Sequence, residues 1–359
     1  MSNKQLESRF EAFKMLVAVL IALGIGAVVV FIVSEDPMKA MGEFVLGPLS
    51  SIRRFGAVIE KAIPLTFTGV AICMMFQANM FNLVVEGSFL LSGLLSVAFV
   101  VSGVPLPGIV MLIIALVISI VSGIGCAFIP TILKAKWNAN EVVASLMMNS
   151  VLLQIHNYIL KQYLYDPTAG ITATKEIPEA AKLPILVEDT RVHAGLFIAI
   201  AVAVLAYVFM YHTKWGYQIR MVGSNSAFAR YSGISVMAVA VMSQLIGGAI
   251  AGMGGAVFAL GTFTRYSLVG LTGHGFNGIL LAILAKNNPL FVPITAFALG
   301  YLTTGAEIMG ATTDVPLEIV QVVTSLIIML VGAEMLLSGF KHKLIVKNAE
   351  KLAAAKEVK

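Results

Sequence analysis

The chain has 359 residues, of which 58% are hydrophobic and only 12% charged. Soluble domains average about 45–50% apolar and about 25% charged, so a water-facing globular surface is excluded, and so is disorder, which needs low hydrophobicity and high charge. The 32 Gly and 12 Pro follow no three-residue period, and Cys73 and Cys126 are lone thiols in apolar runs, which argues against a collagen-like chain, a disulfide scaffold or a cysteine metal site.

A bilayer core of about 30 Å takes about 20 apolar residues of helix. In chain order the apolar runs are Phe13–Val33, Ala62–Asn79, Phe89–Val104, Gly108–Leu133, Val142–Leu160, Ala194–Tyr211, Val236–Leu260, Phe276–Ala285, Leu290–Met309 and Val315–Gly339. They predict an all-α polytopic membrane protein of about ten transmembrane helices. The first run is too long for a signal-peptide core and has no cleavage site after it, so it reads as a retained span. The second, third and eighth runs are short, the pattern with which transporters place unwound backbone at binding sites.

Charge sets the expected orientation. With the N-terminus inside, fifteen Lys and Arg fall on inner segments and nine on outer ones, as the positive-inside rule requires. Trp137 and Trp215 fall at inner helix ends, where interfacial anchors belong. The net charge of +5 is then a topological bias and not a nucleic-acid footprint. The expected organisation is a cytoplasmic N-terminus over residues 1–12, one transmembrane domain over 13–340 and a basic cytoplasmic tail over 341–359. The domain carries a polar outer loop at 161–192 and a cytoplasmic loop at 212–235, both termini being inside.

Chemistry is scarce. No Gly is followed by Lys, so there is no P-loop. There is no H-E-x-x-H, no Cys pair at metal spacing and no G-x-S-x-G elbow. The expectation is a chain that is not an enzyme and holds no metal, nucleotide or cofactor.

Polar residues inside spans usually face a bundle interior or a water path. In the fifth run Glu141, Ser145, Asn149 and His156 fall within about 80° of one another on a helix. That stripe either lines a translocation path or supplies helix–helix hydrogen bonds, whereas Gln154 and Asn157 point elsewhere. Glu307 in the ninth run is a pathway candidate or half of a structural pair. In the seventh run Gly247, Ala251 and Gly255 beside Gly248, Gly252 and Ala256 form two small-residue rows for close helix packing.

Four segments in order carry a family resemblance. They are Lys61-Ala-Ile-Pro-Leu-Thr-Phe-Thr-Gly69 with Phe81-Asn82-Leu-Val-Val-Glu86-Gly87; Asn140-Glu141-Val-Val-Ala-Ser-Leu-Met-Met-Asn149; Val222-Gly223-Ser-Asn225-Ser-Ala-Phe-Ala229-Arg230-Tyr231-Ser-Gly233; and Gly275-Phe276-Asn277-Gly278-Ile279 through Asn288-Pro289. The set resembles the permease subunits of bacterial ABC importers of the branched-chain amino acid and simple-sugar superfamily. Its nearest likeness is to the nucleoside branch, which works with basic-membrane-protein-type lipoprotein receptors. The chain departs from that pattern at Gln77-Ala78-Asn79, at Val84 and Ser88, and at Ser226 where Pro is usual.

The resemblance implies a type II-importer-like helical bundle in the bacterial cytoplasmic (inner) membrane, taking up nucleosides. It implies a partner ATPase subunit that binds ATP and Mg, a second permease subunit (a homologue) and an extracellular substrate-binding lipoprotein. The chain's other contacts are then the nucleoside and the lipid bilayer. It also implies that the loop at 212–235 holds a short coupling helix that sits in a cleft of the ATPase, with Gly223, Ser224, Asn225, Ala229, Arg230 and Gly233 as its residues. Locally, Ser224, Asn225 and Ser226 offer N-cap side chains and Gly233 a stop. Candidate path residues are Asn82, Glu86, Ser145, Asn149, His156, Phe276, Asn277 and Glu307. Of these Phe276, Asn277 and Asn149 supply the aromatic face and amides a nucleoside wants. The alternatives are a simple-sugar ABC permease and a stand-alone ion-coupled secondary transporter with Glu307 as proton carrier.

Overall fold

The computed structural model describes Gly24 and residues 27–332. The N-terminal segment 1–12, most of the run Phe13–Val33, the end of the last run and the tail 341–359 lie outside the described residues. Twelve helices are named here: α1 Pro37–Leu46, α2 Ile52–Phe76, α3 Val85–Val100, α4 Gly108–Trp137, α5 Glu141–Ile159, α6 Gly195–His212, α7 Lys214–Ser224, α8 Ser226–Tyr231, α9 Val236–Thr262, α10 His274–Leu284, α11 Val292–Thr312 and α12 Leu317–Gly332. Among the described residues there is no strand, only two isolated bridges, Glu176 to Arg265 and Ile185 to His193. Six helical segments among them are long and apolar enough to cross a membrane, and two shorter apolar helices, α3 and α10, accompany them.

The chain divides into two compact units, Leu49–Tyr301 and a second made of Met1–Pro48 with Leu302–Lys359. In the larger unit α9 is the central packing helix, lying against α2, α3 and α4. Its small residues make this possible, since they let backbones meet without side chains between them. A Cβ on Gly252 would lie 2.1 Å from the Ser119 carbonyl of α4, one on Gly123 2.2 Å from the Gly248 carbonyl, and one on Gly255 2.0 Å from the Phe89 carbonyl of α3.

Helix α2 starts ten residues before the apolar run that signals it. Its first turns carry Arg53, Arg54, Glu60 and Lys61, which a hydropathy reading rejects but a helix capped by Ser51 through the Arg54 N–H accepts readily. Pro64 sits inside it. Its membrane-length part is 83% buried, so it is a core helix with little lipid contact. At the other extreme α10 has 11 residues, a length of about 16 Å at 1.5 Å per residue, half of a bilayer core. It begins after Gly273 at φ +77°, and Lys286 and Asn287 at φ 52° and 55° turn the chain after its end.

The polar segment 161–192 is folded. Thr174 N–H donates to the Tyr266 carbonyl (3.0 Å), Ile177 N–H to Thr264 (2.9 Å) and Leu183 N–H to Leu260 (3.2 Å). Leu160, Ile177 and Ala181 join Leu94, Val97, Val100 and Met111 in one apolar cluster beneath it. Asp166 pairs with Arg265 at 2.6 Å.

In the smaller unit, Phe44 of α1, Ala306 and Met309 of α11, Val30, Val315 and Val320 form a separate core. Ser34 and the Glu35 N–H both donate to the carboxylate of Asp314, at 2.7 and 2.5 Å.

Candidate functional site

Between α2 and α3 the chain leaves helical structure over residues 77–84. Unwound backbone inside a bundle must find hydrogen-bond partners there, and α5 supplies them. Glu141 accepts from the Phe81 N–H at 2.7 Å, and Ser145 accepts from the Leu83 N–H at 3.0 Å. Asn149 uses both ends of its amide: its nitrogen donates to the Leu83 carbonyl at 2.8 Å and its oxygen accepts from the Gly87 N–H at 3.0 Å. Within the segment Asn82 holds a local turn, its Oδ1 accepting from the Val84 N–H at 3.1 Å. The stripe predicted on α5 is therefore a ladder that grips the broken segment. Gly87 fits because a Cβ there would lie 2.9 Å from the Asn149 Oδ1.

Further along the same face His156 is buried and its Nε2 lies 3.2 Å from the Tyr266 hydroxyl, which itself donates to the Leu90 carbonyl at 3.2 Å. The stripe thus joins α5 to the broken segment below and to the chain after α9 above.

Glu86, on the first turn of α3, is buried. Its carboxylate accepts from the Gly273 N–H (2.7 Å), the Gly275 N–H (2.5 Å) and the Thr272 hydroxyl (3.0 Å). It caps α10 from another helix, where orphan N–H groups and the helix dipole both favour a negative charge. Gly275 lies so near that a Cβ would sit 2.6 Å from the Glu86 nitrogen. At its other end α10 is tied by Gln77, whose side-chain nitrogen donates to the Asn287 carbonyl at 2.7 Å. Helix α10 is hence clamped to α3 at its start and to the end of α2 at its finish. Thr272, Gly273, Gly275, Tyr266 and Gln77 were not among the sequence candidates. The repeated glycines of Gly270-Leu-Thr-Gly273-His-Gly275 are the signal for a turn entering a helix, but nothing local points to a carboxylate about 190 residues away.

Of the candidate nucleoside contacts, Asn149 has both amide groups engaged by backbone, Phe276 on α10 is 41% exposed and Asn277 half-buried. Phe258 of α9 stacks edge-on against His274 and against Phe263, with ring centroids 5.1 and 5.2 Å apart. Glu307 is exposed within the smaller unit. Among the described residues no group of three or more His, Cys, Asp or Glu is placed to hold a metal ion.

The loop at 212–235 forms two helices. Thr213 caps α7 through the Gly216 N–H at 3.1 Å, and Asn225 caps α8 through the Phe228 N–H at 2.9 Å. Gly233 at φ +79° follows α8, as the sequence reading expects of a stop residue. Ala229 is the buried residue of α8, while Phe228, Arg230 and Tyr231 are exposed, Tyr231 by 93%. Arg220 of α7 lies over the Tyr211 ring at 4.6 Å.

The chain is similar in sequence to known transport proteins. Residues 55–332 match the family model described as branched-chain amino acid transport system / permease component. A guanosine ABC transporter permease protein of Bacillus subtilis is 33% identical, the match covering 93% of this chain and 97% of that one. A glucose ABC transporter permease protein of Haloferax volcanii is 31% identical over 87% of this chain and 84% of its own length. A nucleoside ABC transporter permease protein of Lactococcus lactis is 29% identical over 90% and 91%.

Proposed function

The chain belongs to the branched-chain amino acid transport system permease family, and from that premise we infer that it is the transmembrane subunit of an ATP-driven nucleoside importer in a bacterial cytoplasmic membrane. It is an ABC permease and a multi-pass membrane protein, which sets aside a self-sufficient ion-coupled carrier. The observation that carries the rest is α8: a short helix, capped by Asn225 and stopped at Gly233, that offers Phe228, Arg230 and Tyr231 to a partner. Aromatic and Arg side chains are the residues on which interfaces concentrate their energy. On this reading α8 docks in a cleft of a separate ATPase subunit that binds ATP and Mg, and this chain supplies the path and no bond chemistry. A lipoprotein receptor outside delivers the solute, and a homologous permease completes the path.

The nucleoside assignment rests on the guanosine and nucleoside relatives. The glucose relative supports simple sugars as the second reading. Reconstitution of the complex with its ATPase and receptor decides. Uptake of tritiated guanosine, with glucose as the competing arm, is expected. Hydrolysis and uptake unchanged by Arg230→Glu together with Gly223→Trp overturn the coupling role. Uptake of glucose alone overturns the nucleoside role.

A further inference from the structure

Helix α5 has two faces that differ in chemistry. Ser145, Asn149, Leu152 and His156 are buried, and all but Leu152 make the hydrogen bonds described above. The opposite face is exposed and mixed: its polar residues Ser150 and Gln154 form a row with Met147 and Tyr158, within about 80° at 100° per residue, flanked by the exposed Val143, Leu146, Val151 and Ile155. Ser150 and Gln154 are both exposed.

The neighbouring outward faces are of another kind. On α4 the exposed residues from Ile113 to Ile129 are Ile113, Val117, Val121, Gly125, Phe128 and Ile129, and on α6 those from Phe197 to Val208 are wholly apolar. Those faces suit hydrocarbon. An exposed carboxamide near the middle of the membrane-length segment Glu141–Leu164 does not, because a polar group loses several kcal/mol, roughly 4–8 for an amide, on leaving water for an alkane without a partner. Polar side chains at that depth belong to a cavity or pathway, or to a helix contact.

We propose that the exposed row Met147–Ser150–Gln154–Tyr158 of α5 lines the translocation path and binds an uncharged, hydrogen-bonding solute as it passes. The row has no ionisable group at mid-depth, so it offers nothing to neutralise a carboxylate or phosphate. An amide, a hydroxyl and a phenol ring suit a heterocycle with donor and acceptor edges joined to a sugar. The buried stripe on the opposite face holds the fold and leaves this row free for solute. The proposal deepens the importer reading and rests on it for the identity of the solute.

The test is cysteine accessibility in the assembled transporter in vesicles, with Ser150→Cys and Gln154→Cys as probes and Val204→Cys on α6 as the lipid-facing control. The native Cys73 and Cys126 are buried, so background is low. A charged methanethiosulfonate reagent is expected to modify both probes at least about tenfold faster than the control, as water-lined positions require. Guanosine is expected to slow that reaction. Rates equal to the control overturn the proposal. So does a Gln154→Cys disulfide between two permease chains with no reagent access, which marks a helix contact. Rapid modification slowed by glucose and not by guanosine upholds the path and refutes the nucleoside reading. Ser150→Cys is nearly isosteric, so a folding defect at one probe does not remove the test.

Discussion

Gly223, at the end of α7, lies against the main-chain carbonyl of Gln77: a Cβ at 223 would sit 2.0 Å from that oxygen. Gln77 closes α2 and sends its side chain to the Asn287 carbonyl, 2.7 Å away, just beyond α10. One residue thus touches the helix pair carrying α8 and also the short helix clamped by Glu86. A displacement of α8 has a packed route to α10 with no side chain between backbone and backbone at its first step. Gly223→Ala must push α7 off Gln77, an overpacking cost of about 1–3 kcal/mol. The expected outcome is an assembled complex that hydrolyses ATP but transports less solute per ATP, measured by paired phosphate-release and uptake assays on the same proteoliposomes. An unchanged ratio would show that the contact is only packing.

Asn149 serves two backbone groups, the Leu83 carbonyl of the broken segment and the Gly87 N–H in the first turn of α3. Asn149→Ala leaves the Leu83 carbonyl and the Gly87 N–H unpaired, and each such buried group costs about 1–3 kcal/mol. Asn149→Asp keeps the acceptor for Gly87 but turns the donor facing Leu83 into a second acceptor. Both variants are expected to lower the detergent-solubilised melting temperature, and Ser150→Ala on the exposed face is expected to leave it unchanged. The comparison separates the gripping face of α5 from its free face by calorimetry alone.

The small-residue rows of α9 give a third expectation. A Cβ on Gly252 would meet the Ser119 carbonyl at 2.1 Å, while Gly125 on α4 has open space around its own Cβ position. Gly252→Leu is therefore expected to abolish the folded permease in membranes. Gly125→Ala is expected to be neutral or slightly stabilising, since Ala is favoured over Gly by about 1 kcal/mol in a helix. Expression and monodispersity by fluorescence-detected size exclusion read both.

Much of this was legible because membrane spans are written in composition. The apolar runs predicted eight of the described helices close to where they lie, and the Asn225 cap and Gly233 stop of α8 were visible as local chemistry. The charged opening turns of α2 were missed because Arg53, Arg54 and Lys61 break a hydropathy window without breaking a helix. On α5 the 3.6-residue period identified the polar face but left open what it faces. Asn149 lies 66 residues from Leu83, and no local pattern encodes that pairing. Glu86 stood out only as part of a family motif just before the third apolar run, and its donors come from a turn that only the tertiary fold brings near.

The segment between α5 and α6 has its own pH dependence. His193 is buried between two glycines, a Cβ on Gly195 or Gly261 falling 2.5 or 2.3 Å from its ring, and its Nδ1 accepts from the Gly195 N–H at 3.2 Å. Burial pushes its pKa down from 6.5 to about 4. Between those values the unfolded loop binds a proton that the folded loop does not, so folding stability of this region falls as pH drops from about 6.5 toward about 4. Asp166 does not contribute in that window. The Thr168 hydroxyl and N–H, with Arg265, hold its carboxyl down at about 2, so its pairing is lost only in stronger acid. Hydrogen exchange across residues 165–194 is expected to quicken over the histidine window, beyond the intrinsic pH effect measured on an unfolded peptide of the same segment. His193→Gln is expected to remove that excess. Excess opening that survives the substitution would assign it to another group.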